Sequence, residues 1–211
     1  MQSSTTYNVL AGRDLGRLAA LSDGVFAFAM TLLVLDLRVP AVAAIKDEHQ
    51  LATALLALAP RLVPYVMTFL TLGIFWVGHQ TQLTLLDRTD RNLAWLTIAF
   101  LFTVTLMPFS TSLLAEFLAF RLALITYWLN ILLLGVTLGA MWAYARRSSL
   151  TSAEVTYEVS ATVVRRIVVA QSLYAFGAAL CAFNTYVSIV FIVVVQLNYV
   201  LAPRIWPLDR L

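Results

Sequence analysis

Charge is what this sequence has least of. Asp, Glu, Lys and Arg make up 12% of its 211 residues, about half the share in a soluble domain, while 61% are hydrophobic and the mean hydropathy is +0.86. So little charge cannot cover a globular surface, which excludes a water-soluble monomer. Cysteine is almost absent as well. Cys181 alone excludes an internal disulfide, and its place in an apolar run marks a small buried side chain. Residues 1–12 hold no Lys or Arg, so they do not read as a cleaved signal peptide, and the first apolar helix is expected to act as the insertion signal and stay in place. No Gly-rich phosphate loop, nucleophile elbow, HExxH or pair of catalytic carboxylates occurs, which argues against an enzyme, and no motif implies a cofactor. The net charge of +3 comes from basic residues scattered singly or in pairs, without a nucleic-acid motif.

What is present is hydrocarbon, in lengths that fit a bilayer. The stretches 62–86, 92–115 and 122–145 contain no Asp, Glu, Lys or Arg, and 18–35 contains only Asp23. Each is long enough to cross once, given that a membrane helix needs roughly 20 apolar residues. The run 167–203 is 37 residues, about 56 Å as one helix against a core of about 30 Å, so it must cross twice, reversing at the polar turn around Asn184. The expectation is an all-α, polytopic membrane protein in a single transmembrane domain, 1–211, with six spans near 18–38, 61–87, 91–116, 120–145, 163–183 and 185–203. Between the first two spans, 51–58 is apolar but too short to cross, and it is expected along the interface or over the helix ends. Thr151 and Glu154 have capping-box spacing for a helix running into span five. Ten of the 14 basic residues (Arg13, Arg17, Arg88, Arg91, Arg146, Arg147, Arg165, Arg166, Arg204 and Arg210) fall on the N-terminal side, which places both termini in the cytoplasm and makes these arginines topology determinants. Trp128, Trp142, Trp206 and Tyr65 lie near span ends, as an aromatic belt requires.

Few polar residues lie inside the spans. Asp23 sits about one and a half turns into the first, and an intramembrane carboxylate marks a functional site unless it is a satisfied structural acceptor. At 100° per residue, Arg17, Leu21, Gly24, Phe28, Thr31, Leu32 and Leu35 share one face, with Asp23 roughly 140° from Phe28. Ser22, Asp23, His79 and Asn92 are expected at one depth and in one hydrogen-bonded network, with Gln80 and Gln82 nearby. A metal role for His79 is disfavoured, since His49 lies on the opposite side and no Cys pair exists. A voltage-sensor pattern of arginines and the TVGYG filter are both missing.

The segment Arg17-x-x-x-Leu21-Ser22-Asp23-Gly24-Val25-Phe26-Ala27, then Thr31 to Leu37, resembles the first helix of the prokaryotic transmembrane-protein-175 family, relatives of the lysosomal potassium channel. Leu21 replaces the family's Phe. The resemblance continues in Trp76-x-x-His79, where Gln80 replaces a second His, and from Asn92-Leu93 to Met107-Pro108-Phe109-Ser110-Thr111; it is clear over spans one to three. It implies a homotetramer of six-helix subunits in the cell membrane, with the first helices lining a central pore that passes potassium in preference to sodium. The family's pore-lining positions fall on Phe28, Thr31, Leu32 and Leu35, the face already marked by periodicity. Its polar cluster bracing the first helix falls on Arg17, Ser22, Asp23, His79 and Asn92. Phe28 stands where relatives carry Ile or Leu, so the narrow point here is expected to be a ring of phenylalanines, a hydrophobic gate. The competing expectation is a proton-coupled transporter or carrier that uses Asp23 and His79 within each subunit. Pro108 supplies a hinge for it, but no internal repeat supports it.

Overall fold

Three helix starts in the first half of the chain are written by a carboxylate. Asp14 accepts from the Arg17 amide (3.0 Å), Asp47 from Gln50 (2.8 Å) and Asp90 from Leu93 (2.8 Å), each satisfying one orphan donor of a first turn. The computed structural model describes residues 14–41 and 45–201, and Arg13, Arg204, Arg210 and Trp206 lie outside the described residues. The chain runs α1 (Leu15–Leu32), a 3-10 turn (Leu33–Asp36), α2 (Glu48–Leu56), α3 (Ala59–Thr84), α4 (Arg91–Thr105), α5 (Met107–Glu116), α6 (Arg121–Arg147), α7 (Tyr157–Ala179), a second 3-10 turn (Leu180–Ala182) and α8 (Thr185–Leu201).

Five stretches are long and apolar enough to cross a membrane: Leu15–Asp36, Ala59–Thr84, Arg91–Glu116, Arg121–Arg147 and Tyr157–Ala182. The sixth expected span corresponds to α8, which is apolar but has 17 described residues. The third crossing is broken at Leu106, because Pro108 has no amide to give the Val104 carbonyl and the chain tightens into a turn before α5. Helix α2 has no buried residue.

The core lies where α3, α4, α5 and α6 meet, around Met67, Leu72, Phe100, Met107, Leu124 and Ile131. A buried hydroxyl network ties these helices to α8. Thr68 and Thr111 share a hydrogen bond of 2.7 Å, Thr71 meets the Tyr127 hydroxyl at 3.2 Å, and the Gln196 amide donates to Thr71 at 2.6 Å. In hydrocarbon, where no water competes, such bonds favour one helix register over others.

Two expectations are corrected. Helix α7 does not begin from Thr151 and Glu154: its cap is Thr156, which accepts from Val159 at 3.3 Å. Thr151 instead pairs with Leu86 in an isolated antiparallel bridge, flanked by Asp87 N–H to the Leu150 carbonyl and Ser152 N–H to the Leu85 carbonyl, so its backbone is held extended. Trp142 does not belong to an interfacial belt. It is buried, and its indole N–H reaches the Ser160 hydroxyl (3.2 Å) between α6 and α7.

Candidate functional site

Helix α1 has two opposite stripes. Leu18, Ser22, Phe26, Ala29 and Leu33 recur at helical spacing and are buried. Phe26 meets Phe100 of α4 at a ring distance of 5.9 Å, which fixes the rotation of α1 about its axis. The other stripe, Leu21, Gly24, Phe28, Thr31, Leu32 and Leu35, is exposed on the isolated protomer, with Phe28 68% and Leu35 69% accessible. The rotation follows from packing: once Phe26 is seated, Phe28, about 200° further round, must point away from the bundle. A groove of about 420 Å³ runs beside this stripe, between Leu21, Gly24, Phe28 and Leu32 on one side and Thr105 and Pro108 at the α4–α5 break on the other.

Thr31 is the stripe's one hydroxyl, and it donates to the Phe28 carbonyl (2.9 Å), rather than to Ala27 one residue earlier. Its hydrogen is thereby committed, while the oxygen's lone pairs face outward as acceptors.

The five polar residues expected to brace this helix do not form one network. Ser22 is buried and returns its hydroxyl to its own helix, at the Leu18 carbonyl (2.9 Å). Asp23, at the edge between α1 and α3, accepts on one oxygen from the Trp76 indole N–H (2.8 Å) and from the Gln80 amide. His79 is fully buried and stacks flat on Phe100, with centroids 5.0 Å apart and 6° between planes; neither ring nitrogen has a hydrogen-bond partner among the described residues. Asn92 donates to the Tyr144 hydroxyl (3.0 Å), which itself donates to Asp90 (2.7 Å), so it ties α4 to α6 and not to α1. Arg17 is exposed in the first turn of α1. The reason is angular. Ser22 and Asp23 are 100° apart, so burying one swings the other to a different neighbour.

Two partners of Asp23 were not singled out for that role in the sequence, although together they carried a signal. Trp76 and Gln80 are four apart on α3, hence on one face, and both carry N–H donors at the depth of a lone carboxylate. At the far end of α1, Ser112 donates to Asp36, and Arg61 pairs with Glu116 at 2.6 Å, around a cavity of about 590 Å³. Among the described residues no group of three or more His, Cys, Asp or Glu is placed to hold a metal ion.

The model of the TMEM175 family, described as the endosomal/lysosomal potassium channel TMEM175, matches residues 17–108. A potassium channel of Streptomyces collinus is 37% identical over 137 residues, covering 63% of this chain and 65% of that protein. A potassium channel of Chamaesiphon minutus is 32% identical over 181 residues, covering 83% of this chain and 88% of that one. The crystal structure of a lysosomal potassium-selective channel TMEM175 homolog from Chamaesiphon minutus superposes with a TM-score of 0.75 at 28% identity, over 89% of this chain and 97% of the other. Alike in sequence over most of a relative's length and alike in fold, this chain belongs to the TMEM175 family.

Proposed function

We propose that the chain is one subunit of a homotetrameric, potassium-selective channel in the cell membrane, with six spans and both termini in the cytoplasm. Four α1 helices line the pore, and Phe28, Thr31, Leu32 and Leu35 face its axis. The observation that carries this reading is the pair of opposite stripes on α1. One is fixed against α4; the other is apolar, exposed and interrupted only by a hydroxyl whose proton is already committed. Helix α8 supplies the sixth span. The potassium channels named among the relatives, and the potassium-selective homolog of like fold, support the ion.

Selectivity in such a pore follows from its chemistry. A ring of Phe28 and Leu32 side chains offers no charge to replace a hydration shell, and a fully dry ring is a barrier. Four Thr31 oxygens between those rings act as acceptors for a partly dehydrated cation, and they favour the one that sheds water more cheaply, potassium over sodium. Neutral lining also means that no charged ring fixes the ion's valence.

The carrier alternative keeps Asp23 and His79 as a relay inside each subunit. No hydrogen bond joins them; Asp23 is engaged by Trp76 and Gln80, and His79 lies against Phe100. Purified protein in liposomes separates the two readings. Passive potassium flux exceeding sodium flux without a proton gradient, from a tetramer in detergent, is the expected result. Flux that requires a proton gradient, or a protein that stays monomeric, overturns the pore.

A further inference from the structure

Arginine in a membrane protein ordinarily stands beyond the ends of the helices, where water solvates the guanidinium. Several here do so or have partners. Arg121 and Arg147 are the terminal residues of α6, Arg61 pairs with Glu116, Arg88 donates to the Ser149 carbonyl at 3.0 Å, and Arg146 donates to the Ser160 hydroxyl. Arg165 and Arg166 differ. They are the ninth and tenth residues of a helix that begins at Tyr157, roughly 12 Å along its axis from the start.

Their depth can be read from α6. Ile167 packs over Gly139, its Cγ2 4.0 Å from where a β-carbon would stand there. Gly139 lies five residues inward of Tyr144, whose hydroxyl joins Asn92 and Asp90 in the polar belt on this side. Ile167 is therefore about 7 Å beneath that belt, and the backbone at Arg166 and Arg165, one and two residues nearer the helix start, about 5 Å beneath it. Helix α7 is the least enclosed of the five long stretches, 17% buried, and both arginines are exposed beside exposed Val164 and Val168. Among the described residues no carboxylate pairs with either, while Arg166 lies within electrostatic range of the Tyr199 phenol on α8.

We propose that Arg165 and Arg166 bind the phosphate of an anionic phospholipid in the leaflet on the N-terminal side, across the α7–α8 surface. The two side chains leave α7 about 100° apart, and their long stems let the guanidinium forks close from two sides on a phosphodiester, whose oxygens accept paired N–H bonds and whose charge offsets theirs. Arginines that served topology alone would need only water, and would stand at the helix end as Arg147 does. This site is independent of the pore assignment.

The test uses the full chain in detergent, with native mass spectrometry and thermal shift reporting on added phosphatidylglycerol, phosphatidylcholine or inorganic phosphate. Two juxtamembrane arginines predict roughly a 30-fold preference for phosphatidylglycerol over phosphatidylcholine. R165Q/R166Q should abolish it; R147Q should not, and R165K/R166K should retain part, since charge survives without the fork. If the double glutamine variant fails to assemble, R165Q and R166Q singly should each lower the preference about fivefold. Equal preference in the wild type and the glutamine variants, or an equal loss in R147Q, overturns the site. A stabilisation reproduced by millimolar inorganic phosphate overturns its assignment to lipid.

Discussion

Replacing Asp23 by asparagine keeps its shape and one carbonyl oxygen but removes the charge that Trp76 and Gln80 are donating to. Hydrogen bonds to a charged acceptor contribute about 1.5–3 kcal/mol, neutral ones about 0.5–1.5 kcal/mol, so two bonds weakened together lose about 2 kcal/mol. Asp23 and Gln80 lie at an accessible edge of the protomer, where water replaces part of what is lost, which brings the expectation down to about 1 kcal/mol. For a chain of this size that is a fall of about 2–4 °C in melting temperature. Asp23→Ala removes the acceptor altogether and leaves both donors to the water at that edge, about 2 kcal/mol and about 4–8 °C. The assay is thermal unfolding of purified protein in detergent, with tetramer recovery by size exclusion, run beside potassium and sodium flux in liposomes. Because Asp23 is turned about 140° from Phe28, ion preference should stay at the wild-type value in both variants that assemble. An Asp23→Asn protein with an unchanged melting temperature and an altered potassium-to-sodium ratio would refute the reasoning, since the carboxylate would then be acting on the ion rather than on α3.

Phe28→Ala and Leu35→Ala, each widening the exposed stripe of α1, should raise sodium leak in liposome flux relative to potassium; unchanged currents and ratio in both would remove the pore assignment. Thr31→Val conserves volume while deleting the acceptor, so tetramer yield should hold while the preference for potassium falls in the same assay. A β-carbon on Gly135 would stand 2.0 Å from the Gln171 side-chain nitrogen, so Gly135→Ala should displace that amide from the Ile131 carbonyl and cost about 1–3 kcal/mol in thermal unfolding, with Gln171→Ala restoring part of the loss. Glu116→Gln breaks the Arg61 pair, but that pair is solvent-accessible, so its melting temperature should fall by no more than about 1 kcal/mol's worth, and less at high salt.

The legible parts of this molecule are those set by one helix and one solvent. Span positions followed from the cost of charge in hydrocarbon, and the α1 stripe followed from 3.6 periodicity, because both depend on sequence spacing alone. The break at Leu106 was marked by Pro108, whose missing amide acts within its own helix. Features that depend on how helices rotate against each other were not legible. Nothing local told that burying Phe26 against Phe100 would hand Asp23 to Trp76 and Gln80 while His79 turned to stack on Phe100. Thr151 matched a capping spacing, yet a backbone bridge to Leu86, 65 residues earlier, took its backbone first, and the cap passed to Thr156.

The same distinction explains how so few polar groups can serve a channel. In hydrocarbon a polar side chain must find a partner, and here most find one inside the protomer: Thr68 with Thr111, Gln196 with Thr71, Asn92 with Tyr144, Asp23 with Trp76. Each such bond fixes a rotation, and the rotations together leave α1 presenting Phe28, Leu32 and Leu35 outward, with Thr31 as the only polar atom among them. An unpaired carboxylate on that face would bind a cation too tightly to release it and would repel its three copies in a tetramer. In the proposed pore, the polar groups therefore act away from the ion by holding a neutral face in register, and that face would discriminate by the cost of dehydration.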